Sequence, residues 1–431
     1  MNIEFTEKQN KALEYLKDGK NIFLTGPGGS GKSFIIKYYV NWFNLHKENE
    51  YSKIHITSTT GLSSILIDGI TIHRYASIGI GNKDVDFYYN KIIKNRISKN
   101  RWLNTNTLII DEISMLDPEL FDKLDLLARK IRKNNNPFGG IQMVLSGDFL
   151  QLPPVKSNFF CFEALSWNHI EYTIYFDKII RQNDVQLQNV LNNIRLGIIN
   201  DEVKEILNSC LDRELDNGDG IIPTLLFSKK DMVYQYNQKE LNILINDENK
   251  EYYNYESKYE FSKEVKNEYK DMFKDLINSH YQVDDNLTFS LFSQVMLCIN
   301  IPDLNLANGS RGIVIDFTRN TEFPYPVVQF LDGQKIIIKP NEYILEEGNS
   351  IIRKIQIPLI LSWAITIHKA QGMTLDFVKT DIGNSIFEFG QAYVVLSRIR
   401  NLDGLSLINI DYNKIRAHPK VIEYYETLSE I

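Results

Sequence analysis

The first chemistry the chain offers lies in Thr25-Gly26-Pro27-Gly28-Gly29-Ser30-Gly31-Lys32-Ser33. An apolar run, Ile22-Phe23-Leu24, precedes it, and Phe34-Ile35-Ile36-Lys37-Tyr38-Tyr39-Val40 follows with the pattern of a helix packed on a sheet. This is G-x-x-x-x-G-K-[ST] in its required setting of strand, glycine loop and helix. Glycines let backbone N–H groups curl around a polyphosphate, and the helix N-terminus adds the positive end of its dipole. Gly26, Pro27, Gly28, Gly29, Ser30 and Gly31 would form the cradle, and Lys32 would reach the β- and γ-phosphates. Ser33 would hold a magnesium ion. The pattern implies a nucleoside triphosphate.

Two further stretches place oxygen ligands where such a loop needs them. Thr107-Leu108-Ile109-Ile110 reads as a buried strand and ends in Asp111-Glu112. Asp111 would hold magnesium through water, and Glu112 would polarise the attacking water. A second apolar strand, Ile141-Gln142-Met143-Val144-Leu145, runs into Ser146-Gly147-Asp148-Phe149-Leu150-Gln151-Leu152-Pro153-Pro154-Val155. Gln151 is placed either to sense the γ-phosphate or to make the turn, and in the first case Phe149 with the rigid Pro153-Pro154 would pass that state to a bound strand. Ahead of the loop, Thr6 and Gln9 form a capping-box pattern on the helix from Glu7. Gln9 is therefore either a cap or an amide that reads an adenine edge, since one amide donates and accepts together.

The elements that must position these groups alternate strands and helices, which points to parallel α/β sheets. At 431 residues the chain has length for two or more domains. Hydrophobic content of 43% and charged content of 24% are those of an ordinary globular protein. No apolar run approaches the roughly 20 residues of a membrane span, and the N-terminus does not read as a signal peptide. Cys161, Cys210 and Cys298 are far apart and the histidines scattered, so neither a disulfide framework nor a zinc site is expected, and a reducing intracellular setting is. The net charge of −7 is unlike that of many nucleic-acid binders, so such binding would need a local groove.

Candidates for that groove exist. Ile54-His55-Ile56-Thr57-Ser58 reads as a strand that runs into Thr59-Thr60-Gly61-Leu62-Ser63-Ser64, and Thr71-Ile72-His73-Arg74-Tyr75 and Gly79-Ile80-Gly81 follow. In open α/β sheets the C-terminal strand ends bind ligands, and small hydroxyls, amides and a histidine suit a phosphate backbone, although the stretch by itself equally describes an ordinary loop and helix start. Between 82 and 106, Lys91, Lys94, Arg96, Lys99 and Arg101 crowd in beside Tyr88, Tyr89 and Trp102. That mixture suits single-stranded nucleic acid or, more simply, a solvated helix face.

D-E-I-S-M at 111–115, F-G-G-I-Q at 138–142 and S-G-D-F-L-Q-L-P-P-V at 146–155 resemble the petite-integration-frequency (Pif) helicases of superfamily 1B. Ile180-Arg181-Gln182 and Ile194-Arg195-Leu196-Gly197 are similar to that family's R-Q…I-R-x-G segment. Asn308-Gly309-Ser310-Arg311-Gly312 is similar to its N-G-x-x-G turn. Thr366-Ile367-His368-Lys369-Ala370-Gln371-Gly372 and Gly390-Gln391-Ala392-Tyr393-Val394-Val395-Leu396-Ser397-Arg398 resemble its later motifs. Leu62-Ser63-Ser64 departs from the family's alanines, with serine as a small substitute. The resemblance covers about residues 5 to 425 and is weakest over 200–285.

That resemblance implies an α/β fold of two RecA-like P-loop motor domains, with a small insertion in the first and an SH3-like β-barrel insertion in the second. The first motor domain would span 1–165 with its insertion at about 76–106. The second would span 166–250 and 355–431, interrupted by the SH3-like domain at 251–354. Strands at Gln294–Ile299, Gly312–Phe317, Pro326–Phe330 and Lys335–Ile338, parted by Asn308-Gly309 and Asp332-Gly333, fit that inserted barrel. The resemblance further implies ATP-driven 5′-to-3′ movement on single-stranded DNA by a monomeric motor that unwinds tailed or forked duplex. ATP and Mg2+ are the implied cofactors, and replication, repair or genome maintenance the implied setting. Arg181, from the second motor domain, and Arg398 would reach the phosphates, while Gln371 and Gly372 would face the nucleotide. Thr60, Gly61, His73, Phe149, Thr366, His368 and Lys369 would meet the strand. A RecD-like or relaxase-type helicase and a non-motor P-loop switch are the competing readings.

Overall fold

The computed structural model describes residues 5–46, 53–79, 81–154, 157–182, 184–215, 220–281, 283–304, 306, 308–319, 323–347 and 350–429. Ile80 and Val155, named above, lie outside them. The chain packs as two compact units. One is Met1–Ile199 with Glu388–Ser397 and Ile415–Ile431; the other is Asn200–Phe387 with Arg398–Lys414.

The first unit is built on β1 (Ile22–Thr25), β2 (Lys53–Ser58), β3 (Ile70–Thr71), β4 (Thr105–Asp111), β5 (Gln142–Gly147) and β6 (Tyr172–Tyr175). They form one sheet in the order β3-β2-β4-β5-β1-β6 with every neighbouring pair parallel. Period-two alternation sorts their side chains onto two covered faces. Phe23, Leu108, Ile110, Met143 and Leu145 enter one apolar cluster, and Ile22, Leu24, Ile109 and Val144 enter the other. This explains why the strands read as unbroken apolar runs. Register then decides which polar ends meet: Ser58 pairs with Asp111, and Thr25 lies between Gly147 and Tyr175.

The basic stretch after residue 82 folds as two helices, Val85–Lys94 and Arg96–Asn104. Tyr88, Ile92 and Trp102 turn inward, whereas Lys91, Lys94, Arg96 and Lys99 are exposed. Arg101 donates to the carbonyls of Arg74 and Tyr75 at 2.8 and 3.0 Å. Helical phase thus separates the cations from Tyr88 and Trp102, and the solvated-face reading describes this segment.

In the second unit, β7 (Thr224–Phe227) pairs in parallel with Ala364–Thr366 and Val378–Ile382, and Leu405–Ile410 extends the sheet. A separate antiparallel sheet joins Lys335–Ile337, Pro326–Phe330, Arg311–Phe317, Gln294–Leu297 and Leu359–Leu361. The four strands read from the sequence are all in it, closed over Val295, Leu297, Val314, Phe317, Val328 and Phe330. The expected fold class stands, with a parallel sheet in each unit and a separate antiparallel sheet in the second. The expected bounds do not coincide with the units: residues 166–199 and 415–431, read as second motor domain, pack with the first unit, where Tyr172–Tyr175 adds a strand to the first sheet. No helix of the described residues is long and apolar enough to cross a membrane.

His55 on β2 makes the first unit sensitive to acid. Burial, with the Arg101 and Lys53 cations, holds its pKa down from 6.5 to about 4. Between those values the unfolded chain takes up a proton that the folded chain refuses. The stability His55 contributes is therefore complete above pH 6.5 and is lost as pH falls through about 4. The full difference amounts to roughly 3 kcal/mol. Urea midpoints across this range should fall with pH in the wild type and fall less steeply in His55→Gln. Parallel curves would remove His55 as the cause.

Candidate active site

The glycine loop leaves the buried end of β1 and enters the helix Lys32–His46. Gly26 has φ 134°, and a Cβ there would lie 2.1 Å from the Phe176 carbonyl oxygen. Gly29 has φ 82° and would clash with the Arg181 Cβ at 2.5 Å. Only glycine fits where the returning chain crosses this closely. The crossing is bonded as well: the N–H groups of Ile180 and Arg181 donate to the Gly29 carbonyl at 2.8 and 3.1 Å. Arg181 thus belongs to the same compact unit as the loop, whereas the resemblance placed it in the second motor domain.

Lys32 Nζ donates to the carbonyls of Gly26 and Pro27 at 2.8 and 2.9 Å. Burial pushes its pKa down, while Asp148, Glu112 and Asp111 favour the charged form. A desolvated ammonium held by two carbonyls in an anionic surrounding can exchange those acceptors for phosphate oxygens. Gly28 N–H donates to the Tyr393 hydroxyl at 2.8 Å.

Asp111 closes β4 with its carboxyl inside. Burial raises its pKa, opposed by the Ser146 hydroxyl, the Glu112 backbone, Lys32 and the Ser33 hydroxyl. Ser33 and Asp111 therefore stand together as a hydroxyl and a carboxylate. Hard oxygen donors of that kind, few in number, suit a magnesium ion that keeps waters and phosphates as its other ligands. Glu112 follows in the left-handed region, at φ 53° and ψ 44°. For a non-glycine residue this costs about 1–2 kcal/mol. Its backbone is held there by Thr59, whose hydroxyl donates to the Glu112 carbonyl at 3.1 Å. Such strain is retained at functional sites.

Beyond β5, Asp148 is fully buried and receives two bonds from Arg195: Nε to Oδ2 at 2.9 Å and Nη2 to Oδ1 at 2.8 Å. Burial would raise the Asp148 pKa, but Arg195 and Lys32 hold it below the ordinary carboxylate value. Gln151 starts from this anchor, its N–H donating to the Asp148 carbonyl at 2.9 Å. Its side-chain oxygen is buried without a hydrogen-bond partner among the described residues. A buried amide left unsatisfied is expected where a ligand or water completes it.

Gln9 serves as the cap, its Oε1 accepting from Thr6 N–H at 3.0 Å while Thr6 Oγ1 accepts from Gln9 N–H at 3.2 Å. It also lines a cavity of about 220 Å3 with Ser30, Phe176, Asp177 and Ile180. A Cβ on Gly31 would lie 3.1 Å from Gln9 Nε2, so the amide nitrogen sits against the glycine loop. The oxygen caps and the nitrogen faces the loop, so the two roles are compatible.

The segments expected at a strand divide between the units. In the first, Thr60 accepts from Ser63 N–H at 3.2 Å at the start of the helix that begins with Gly61. His73 is half-buried on the short helix capped by Thr71, and burial lowers its pKa. Phe149 corrects an expectation. It is 1% exposed, with its ring packed against Phe23, Phe162, Trp167 and Tyr424, and cannot stack on a base. In the second unit, Thr366 caps the turn that carries exposed His368 and half-buried Lys369, accepting from Lys369 N–H at 3.1 Å. Gln371 and Arg398 are buried there, and Gly372 has φ 81°.

Sequence reading missed Asp148, Arg195, Tyr393 and Tyr425 as parts of the site. Asp148 and Arg195 lie in motifs quoted above, and their opposite charges in otherwise apolar settings were a usable signal. Tyr425, 400 residues from Thr25, gave none.

The PIF1-like helicase profile matches residues 4–205. The ATP-dependent DNA helicase PIF1 of Xenopus laevis is 36% identical over 435 residues, spanning 99% of this chain and 65% of that protein. The crystal structure of Pif1 helicase from Candida albicans superposes with a TM-score of 0.82 at 35% identity, covering 99% of this chain and all of that one. Bacteroides Pif1 bound to single-stranded DNA gives a TM-score of 0.67 at 26% identity, covering 100% and 98% of the two chains. The chain spans a little under two thirds of the length of the Xenopus relative.

Proposed function

The chain belongs to the PIF1-like helicase family, and on that premise we propose that it is an ATP-dependent helicase moving 5′ to 3′ on single-stranded DNA. It unwinds tailed or forked duplex as a monomer, in replication, repair or genome maintenance, and works inside the cell where that DNA is. The observation that carries the reading is the convergence of Lys32, Asp111, Glu112 and Gln151 at adjacent parallel strand ends around the glycine loop. The Xenopus relative is named an ATP-dependent DNA helicase, and the Bacteroides relative is described with single-stranded DNA.

In this reading Gly26 to Gly31 and Lys32 bind the phosphates, and Gln9 meets the base. Ser33 and Asp111 would hold magnesium, which when bound offsets charge on the β- and γ-phosphate oxygens. Glu112 takes the proton of the attacking water, and Gln151 orients that water and reads the γ-phosphate. Arg181 and Arg398 neutralise charge in the transition state, and Gln371 with Gly372 faces the nucleotide. The strand is held by Thr60, Gly61, His73, Thr366, His368 and Lys369, through hydroxyls, amides and a cation on phosphates.

Matched duplexes bearing a 5′ or a 3′ single-stranded tail test substrate and direction together, with ATP and magnesium. Unwinding should need the 5′ tail. Unwinding from the 3′ tail overturns the direction. ATP turnover indifferent to single-stranded DNA, with neither duplex opened, would make the chain a P-loop switch instead.

A further inference from the structure

The C-terminal helix Pro419–Ser429 lies in the first unit, although about 200 residues of the second unit precede it in the chain. It docks through apolar contacts. Val421 is fully buried, and the Tyr424 ring stacks on Phe162 at 4.2 Å and meets Phe149 edge-on at 5.8 Å. The next residue turns to the polar centre. Tyr425 Oη lies 2.6 Å from Thr25 Oγ1, donates to Asp148 Oδ1 at 3.1 Å and accepts from Phe149 N–H at 3.2 Å.

Each partner leads to a loop with a task in the reading above. Thr25 is the last residue of β1, next to Gly26, whose carbonyl holds Lys32. Asp148 anchors the turn that carries Gln151 and supplies the largest anionic influence on Lys32. Arg195 also holds the carboxylate, with Nη2 on the Oδ1 that Tyr425 bonds, and its guanidinium carbon lies 5.6 and 5.0 Å from the ring centres of Tyr175 and Tyr425. Parallel pairing holds β1 to β5 up to Thr25 and Gly147. Past that point the ladder ends, and the Tyr425 hydroxyl is a single atom bonded to the edges of both loops.

We propose that Tyr425 is a positioning residue for ATP turnover, its hydroxyl setting the glycine loop against the Gln151 loop so that Lys32 and Gln151 meet one γ-phosphate. The inference rests on the ATPase reading above. A fixed distance between two groups on one phosphate matters most when charge moves in the transition state. Loss of the hydroxyl should therefore lower kcat and leave ATP binding nearly unchanged.

Tyr425→Phe keeps the ring and the helix docking and removes one oxygen. Steady-state ATP hydrolysis by the full chain, with saturating oligo(dT) and magnesium, should show kcat lowered about tenfold. KM for ATP should stay within about twofold. Thr25→Val cuts the same link from the other side. It should reproduce the split, and the double variant should lose little more than either single one. Active sites are counted by binding of a fluorescent ADP analogue, so partial misfolding is not mistaken for slow turnover. Unchanged kcat per binding site in Tyr425→Phe overturns the proposal, as does a loss of kcat matched by a rise in KM. Should Tyr425→Phe fail to fold, Thr25→Val decides by the same criteria. A wild-type chain that hydrolyses no ATP sinks the ATPase reading and this inference with it, whereas normal wild-type turnover beside an unimpaired variant sinks the inference alone.

Discussion

Glu112→Gln is expected to lower ATP turnover about a thousandfold, the scale of a positioned general base, and to abolish duplex unwinding. ATP and single-strand affinities should remain within about threefold of wild type, because the change acts on the chemical step. Gln keeps the length and shape of Glu and adopts the left-handed backbone about as readily, so φ 53° and the Thr59 bond are preserved. What is lost is the ability to take a proton. Asp111 differs in kind: its carboxyl lies inside beside the Ser33 and Ser146 hydroxyls, and its loss would disturb ion binding as well. Rapid-quench single-turnover measurement separates the two, since Glu112→Gln should bind ATP and stall. Turnover within about tenfold of wild type would take water activation away from Glu112.

What the sequence disclosed and what it hid differ by the range of the interactions involved. Strand, glycine loop and helix at 22–46 are local, and so are the buried strand ending in Asp111 and the strand ending in Gly147. The strands from Gln294 to Ile337 were legible for the same reason, each a short alternating run bounded by turn residues. Motifs spread over the chain were enough to identify the family. Phe149 was not legible. It follows a polar strand end as an exposed aromatic would, and its burial depends on Trp167 and on Tyr424, far away in sequence. The family resemblance placed Arg181 in the second motor domain, yet its backbone returns to bond Gly29. The basic stretch at 91–101 was readable but for its phase. Tyr88 and Ile92, four residues apart, share an inward helix face that leaves the lysines outside.

Arg195→Ala should cost about 4 kcal/mol of stability in the first unit, because it leaves a buried carboxylate without its cation. Asp148 is 0% and Arg195 5% exposed, and two bonds join them. Water therefore cannot replace the missing guanidinium as it would on the surface. The double variant Asp148→Leu/Arg195→Met should recover much of the loss, since it removes both charges and fills similar volume. The pH dependence identifies the cause. In the wild type, the Asp148 pKa lies below 3.8, so the pair's contribution is present above that value and lost as pH falls through the folded pKa. Without Arg195, burial dominates and drives the same carboxyl upward, so the variant's penalty is relieved as acid protonates it. The gap in urea midpoint between wild type and Arg195→Ala should therefore narrow from about pH 7 to about pH 4. A gap that stays constant across that range would assign the loss to the missing stack between Tyr175 and Tyr425 rather than to an orphaned charge.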